Sequence, residues 1–99
     1  MNELMRQAAR MQRKIDQAKE AARDKEIVAE SAGGKVKATV TYARRVVRIE
    51  IDPELLASEV ELALDGACAA LNSALEQADK AMEAEVEKVT GGVKIPGMG

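Results

Sequence analysis

The feature that most constrains this chain is a helical periodicity running from Ser58 to about Thr90. Apolar residues recur at Val60, Leu64, Ala67, Leu71, Leu75, Ala78, Met82, Val86 and Val89. Steps of three and four place them on one helical face. Ser58-Glu59-Val60-Glu61 reads as a capping box: the Ser58 hydroxyl accepts from the Glu61 amide while the Glu61 carboxylate reaches back. Thr90-Gly91-Gly92 supplies the stop, because glycine tolerates the left-handed conformation of a helix end. Such a helix is a rod roughly 45 Å long, whereas a typical strand covers only about 25 Å or less. The rod overhangs any small sheet beneath it. A second copy of the chain is the expected cover for that overhang; the alternative is a monomer whose first helix covers it alone.

Composition sharpens the argument for association. Ninety-nine residues suffice for one small domain, expected to occupy residues 1–92 with a flexible tail at 93–99. The chain has no Trp, no Phe and one Tyr, so its core is built from Ala, Val, Leu, Ile and Met, which bury little area per residue. No apolar run approaches the roughly 20 residues needed to span a bilayer, and Met1-Asn2-Glu3 does not open a signal peptide. A reduced, cytoplasmic protein without a membrane partner is expected, with the single Cys68 an inert core residue. The absence of histidine removes the commonest general base and the commonest transition-metal ligand. No glycine-rich phosphate loop precedes a helix, and no Ser or Cys has a visible activating partner. The expectation is a non-enzyme with no catalytic residue, metal site, cofactor or small-molecule substrate.

Residues 3 to 24 form the first predicted helix. Leu4, Ala8, Met11, Ile15, Ala18 and Ala22 make a heptad seam suited to packing along another long helix. About 200° around the helix from that seam lie Arg6, Arg10, Arg13 and Gln17, with Lys14 beside them. Between Leu4 and Ile15 there are four basic residues and no acidic one. Farther along, Asp16 with Lys19 and Glu20 with Arg23 are spaced to offset each other.

Ile27 to Ala32 reads as a weak strand, followed by a Gly33-Gly34 turn. Val36, Ala38 and Val40 alternate with Lys35, Lys37 and Thr39; Val47, Ile49 and Ile51 alternate with Arg48, Glu50 and Asp52. Both patterns predict half-buried strands. A reversal at Tyr42-Ala43, through a four-residue loop, would set Ala38 against Val47, Val36 against Ile49 and Lys37 against Arg48. Asp52-Pro53 ends the sheet and opens a short helical turn to Ala57. The fold class is α+β: a helix, a three-stranded antiparallel sheet and a long helix.

Charge is divided unevenly: residues 1–25 carry net +3, residues 26–52 net +1 and residues 53–99 net −6. The chain is acidic overall, yet its basic charge lies on the first helix and the hairpin.

The order of residues resembles the YbaB/EbfC family of nucleoid-associated proteins over nearly the whole chain. The marks are the helix opening Met5–Met11 with Gln7 and Met11-Gln12, and Ala32-Gly33-Gly34-Lys35-Val36-Lys37 leading the hairpin. The strongest is Val46-Val47-Arg48-Ile49-Glu50-Ile51-Asp52-Pro53-Glu54-Leu55-Leu56. Asp65 with Ala67, Ala70, Asn72 and Ala74, then Thr90-Gly91-Gly92-Val93 and Pro96-Gly97-Met98, complete it. The resemblance implies a tweezer-like homodimer with protruding helices that binds double-stranded DNA on the bacterial nucleoid.

The residues expected to meet DNA are Arg6, Arg10, Arg13 and Lys14, with Lys37, Arg44, Arg45 and Arg48 as a second patch. Arginine suits phosphate because its planar fork donates two parallel hydrogen bonds. Without Phe or Trp there is no platform for stacking bases, so recognition of single strands is disfavoured. Val47, Ile49, Ile51, Leu64, Leu71 and Leu75 are the expected dimer interface. The rival reading is a scaffold or prefoldin-like holdase that grips another protein with paired helices, its basic stripe being only a solvated face.

Overall fold

The computed structural model describes residues 2–91; the tail expected at 93–99 lies outside them. The elements run α1 (Glu3–Ala22), β1 (Glu26–Ser31), a 3-10 turn (Ala32–Gly34), β2 (Val36–Thr41), β3 (Val46–Ile51), α2 (Pro53–Ser58) and α3 (Val60–Thr90). The strands form one antiparallel sheet in the order β1-β2-β3. The α+β architecture is the one the sequence predicts. The molecule is elongated, 66 × 20 × 17 Å.

Several boundaries follow from local chemistry. The Asn2 side chain caps α1, accepting from the Met5 amide at 2.9 Å. Asp52 caps α2 through the Glu54 amide at 2.9 Å, with Pro53 at the first helical position. Gly91 ends α3 in the left-handed region, φ 63°. The capping box at Ser58 does not form. Ser58 is the last residue of α2, and its hydroxyl donates to the Glu54 carbonyl at 2.7 Å. The chain kinks at Glu59 (φ −140°, ψ 65°), which begins α3 without a side-chain cap.

The sheet selects a different face of α3 from the one its large side chains mark. Ala63, Gly66, Ala70, Ala74 and Ala78 are the buried residues along its sheet-packed length, while Ala67, Leu71 and Leu75 are half-buried beside them. Val60 and Leu64 are exposed. Small side chains let the helix settle closely on Val36, Ala38 and Val40, all fully buried. At the tightest point the Ser31 hydroxyl donates to the Gly66 carbonyl at 2.6 Å. A Cβ on Gly66 would stand 3.1 Å from both Ser31 Oγ and Val36 Cγ2. Cys68 is two positions beyond Gly66, turned away from the sheet; it is exposed, which corrects its expected place in the core.

The hairpin register is displaced by two residues from the expected one. Ala38 pairs with Ile49, Val36 with Ile51, Lys37 with Glu50 and Thr39 with Arg48. A slip of two keeps every side chain on its face but changes its partner, so the expected Lys37–Arg48 repulsion is replaced by opposite charges. An irregularity at Thr39/Val40, where Val40 meets Val46, absorbs the difference and leaves Val47 as the extra residue. The first strand also begins one residue earlier than expected, and Ala32 belongs to the turn.

The heptad seam of α1 is used only in part. Ile15 and Ala22 are buried, Met11 and Ala18 are half-buried, and Ala8 and Leu4 are exposed, Leu4 at 76 %. The second half of α1 rests on α3, and the first half stands free as an arm. Past its end, Lys25 Nζ reaches Glu85 Oε1 of α3 at 3.0 Å, and Lys88 reaches the same oxygen at 3.2 Å. Hydrogen bonding from Lys25 first, then Lys88, holds the Glu85 carboxyl below its usual range, against a smaller opposing effect of burial.

Gly66→Val should cost about 2 kcal/mol in urea unfolding, because the added methyls meet Ser31 and Val36 in a packed layer. An unchanged unfolding midpoint would show that the helix can lift at no cost. For Glu85 the pKa is lower folded than unfolded, so its stabilisation is complete above the usual glutamate range and fades as pH falls through the folded value. Unfolding curves at neutral and acid pH should show a smaller acid loss for Glu85→Gln than for the unmodified chain.

Candidate nucleic-acid interface

The arm of α1 presents the first group of basic residues. Arg6, Arg10, Arg13 and Lys14 are all exposed. Packing of Ile15 and Met11 turns the opposite side of the helix outward, and the 3.6-residue repeat brings the arginines into one stripe. Four positive side chains on the arm face a single carboxylate, that of Glu3. Its Oε1 is 3.1 Å from Arg10 Nη2 and its Oε2 is 3.9 Å from Arg6 Nη1. Among the described residues Arg13 and Lys14 have no acidic partner.

The second group does not form one patch. Lys37 and Arg48 project from the face of the sheet away from α3, interleaved with acids. Lys37 lies 3.8 Å from Glu30, and Arg48 lies 3.7 Å from Glu50. That face is a mosaic in which each cation has a neighbouring anion. Arg44 and Arg45 instead occupy the hairpin loop Tyr42–Arg45. The loop is held by the Tyr42 amide donating to the Lys25 carbonyl at 2.9 Å and the Ala43 amide donating to the Arg23 carbonyl at 3.2 Å. The Arg44 amide closes a turn on the Thr41 carbonyl at 2.9 Å. Arg44 itself has φ 68°, a conformation glycine or asparagine adopts more readily. Its guanidinium pairs with Asp79 of α3, so it ties the loop to the long helix. Arg45 has no acidic partner among the described residues.

Sequence spacing reveals the Glu3–Arg6 pair, three residues apart, but not the other partners of these cations. Glu3 reaches Arg10 across two helical turns. Asp79 and Arg44, like Lys25 and Glu85, are joined only by the fold. Of the helix pairs expected by spacing, Glu20 with Arg23 is present at 3.4 Å, whereas Asp16 accepts from the Gln12 side-chain amide at 2.9 Å. A depression of about 310 Å³ between α1, the hairpin loop and α3 is lined by Asp16, Lys19, Glu20, Arg23, Ala43 and Met82. Its two acids balance its two bases, leaving no concentrated charge for a small ligand.

The apolar residues expected at a dimer interface fall into two groups, one on β3 and one on α3. The long helix covers β1 and β2 and only marginally β3. Val47 and Ile49 therefore stay 40 % and 41 % exposed, while Ile51, nearer α2, is half-buried. Leu64 is 55 % exposed; Leu71 and Leu75 are half-buried on the flank of α3.

This chain is 42% identical over 100 residues to a nucleoid-associated protein of Acinetobacter baumannii, covering 97% of this chain and 92% of that one. It is 37% identical over 99 residues to a nucleoid-associated protein of Alkaliphilus metalliredigens, covering 99% and 87%. A crystal structure of an uncharacterized protein from Helicobacter pylori has the same fold, with a TM-score of 0.75 at 22% identity over 92% of this chain and 99% of that one. The sequence profile of the YbaB/EbfC DNA-binding family matches residues 1–93. With the fold, the ordered residues and these matches in agreement, the chain belongs to the YbaB/EbfC DNA-binding family.

Proposed function

We propose that this chain is a nucleoid-associated protein that binds double-stranded DNA as a homodimer, mainly through phosphates. The observation that carries the reading is the stretch of α1 ahead of Ile15, where four exposed cations have one carboxylate among them, paired with Arg6 and Arg10, in a member of a DNA-binding family. Contacts from Arg6, Arg10, Arg13 and Lys14 to phosphates would position the protein without reading sequence directly. The chain's net charge of −2 does not oppose this, because the acids lie largely on α3 and its approaches. At physiological salt, charges act over about 8 Å, so the arm's field is local.

Dimerisation supplies the second arm. The exposed Val47 and Ile49 on the edge strand β3, together with Leu64, Leu71 and Leu75 of α3, support it. Burying such apolar area contributes roughly 25 cal/mol per Å². The holdase reading has one observation in its favour, the exposure of Leu4 and Met5 on the arm; it requires the arginines to be dispensable for DNA binding.

Light scattering after size exclusion should return twice the 10.6 kDa chain mass. Ile49→Glu should return the single mass, since a carboxylate cannot be buried unpaired. A folded monomer from the unmodified chain would remove the dimer. If each arm neutralises two or three phosphates, log affinity against log salt should have a slope of about −4 to −5. Arg10→Ala with Arg13→Ala should keep the dimer, weaken unrelated duplexes alike and flatten that slope by about 3 to 4 units. Unchanged duplex binding by this double variant would make the stripe a solvated face and favour the holdase.

A further inference from the structure

The carboxylate at the start of the arm engages two of its four cations. Glu3 lies in the first turn of α1, and Arg6 and Arg10 follow on the same strip of helix surface. One Glu3 oxygen bonds the Arg10 guanidinium at 3.1 Å, and the other lies 3.9 Å from Arg6. A carboxylate offers arginine the same bidentate oxygen geometry that a phosphate does. Half of the basic stripe is thus already engaged by an anion, whereas Arg13 and Lys14 are not. The pairing is also reversible. The Glu3, Arg6 and Arg10 side chains are 63%, 63% and 56% exposed, and ion pairs in water are weak enough for a competing anion to displace. The acid is well placed locally, because a negative charge in the first turn complements the helix dipole. The same position puts a negative charge at the end of a helix that is otherwise positive up to Ile15.

We propose that Glu3 is an intramolecular competitor for phosphate, a built-in anion that occupies Arg6 and Arg10 until duplex DNA displaces it. The proposal rests on the DNA-binding reading above and assigns a regulator to that same site. It makes Arg13 and Lys14 the first contacts and Arg6 and Arg10 the conditional ones. It also sets affinity below what four cations per arm would otherwise give, so that the protein exchanges readily along the duplex.

The test uses the full chain and a fluorescently labelled duplex, with anisotropy titrations over a series of salt concentrations. Glu3→Gln should bind about five-fold tighter than the unmodified chain, the effect of removing a weak pair from each of two arms. Its salt slope should steepen by about one to two units, as Arg10 then releases a full counterion. Asp16→Asn makes the same charge change on the same helix. Because Asp16 is held by Gln12 rather than by an arginine, its gain should stay below about two-fold. With Arg10→Ala already present, the gain from Glu3→Gln should fall to less than half, which a simple net-charge effect would not produce. Circular dichroism checks that helix content is equal across the set. If Glu3→Gln binds no tighter than Asp16→Asn, or keeps its full gain beside Arg10→Ala, Glu3 is not a competitor, while the DNA reading stands. If the unmodified chain binds no duplex at all, the DNA reading and this inference fall together.

Discussion

Where Gly66 passes over Ser31 and Val36, the long helix is close enough for its backbone carbonyl to accept a serine hydroxyl at 2.6 Å. The rest of the arrangement is set by that approach. It requires the inward face of α3 to be Ala and Gly, so the leucines of the same helix turn to the flank. It centres the helix over β1 and β2, so the inner face of β3 is left uncovered. A chain with no Phe or Trp has few other ways to fill a core. Close backbone approach replaces side-chain bulk, and dispersion attraction between tightly apposed atoms substitutes for the aromatic area that fills other cores.

The charges follow a comparable division. On the outer sheet face Lys37 pairs with Glu30 across strands and Arg48 with Glu50 along β3. At the hairpin loop, Arg44 is tied to Asp79, and Lys25 and Lys88 share Glu85. The Arg44–Asp79 and Lys25–Glu85 pairs join elements far apart in sequence, while Lys88 reaches Glu85 from one turn along α3. The arm keeps an excess of positive charge, and α3 with its approaches an excess of negative charge. A protein that is acidic as a whole thus retains a basic limb, and self-repulsion between that limb and the body is avoided.

Much of this organisation is legible in the sequence. Element order, the Asp52-Pro53 start of α2, the left-handed stop at Gly91 and a four-residue hairpin loop all follow from residue chemistry close along the chain. The departures have identifiable reasons. Period-two alternation cannot distinguish hairpin registers that differ by two residues, so it matches Lys37 with Arg48 instead of Glu50. Hydrophobic periodicity rewards large side chains, so it marks Leu64 and Leu71 rather than the small-residue face that touches the sheet. The same mistaken face places Cys68 in the core. For the candidate site, the outward arginines of α1 are legible from the seam opposite them. The Glu3–Arg6 spacing of three is legible as well, but the bond from Arg10 to Glu3 is not, because it spans two helical turns and helix spacing rules stop at one.

The free half of α1 has a mechanical implication. Ahead of Met11 and Ile15 its helix is supported by its own backbone hydrogen bonds, the Asn2 cap and the Glu3 pairs, with no buried residue beneath it. Segments of about ten residues are marginal helices in water when nothing packs on them. The stiffness of this limb is therefore written in its own sequence rather than borrowed from the core, and its persistence as a helix is an adjustable quantity. A lattice of anions along one side would lower the cost of keeping it wound, so its order and its occupancy are thermodynamically linked.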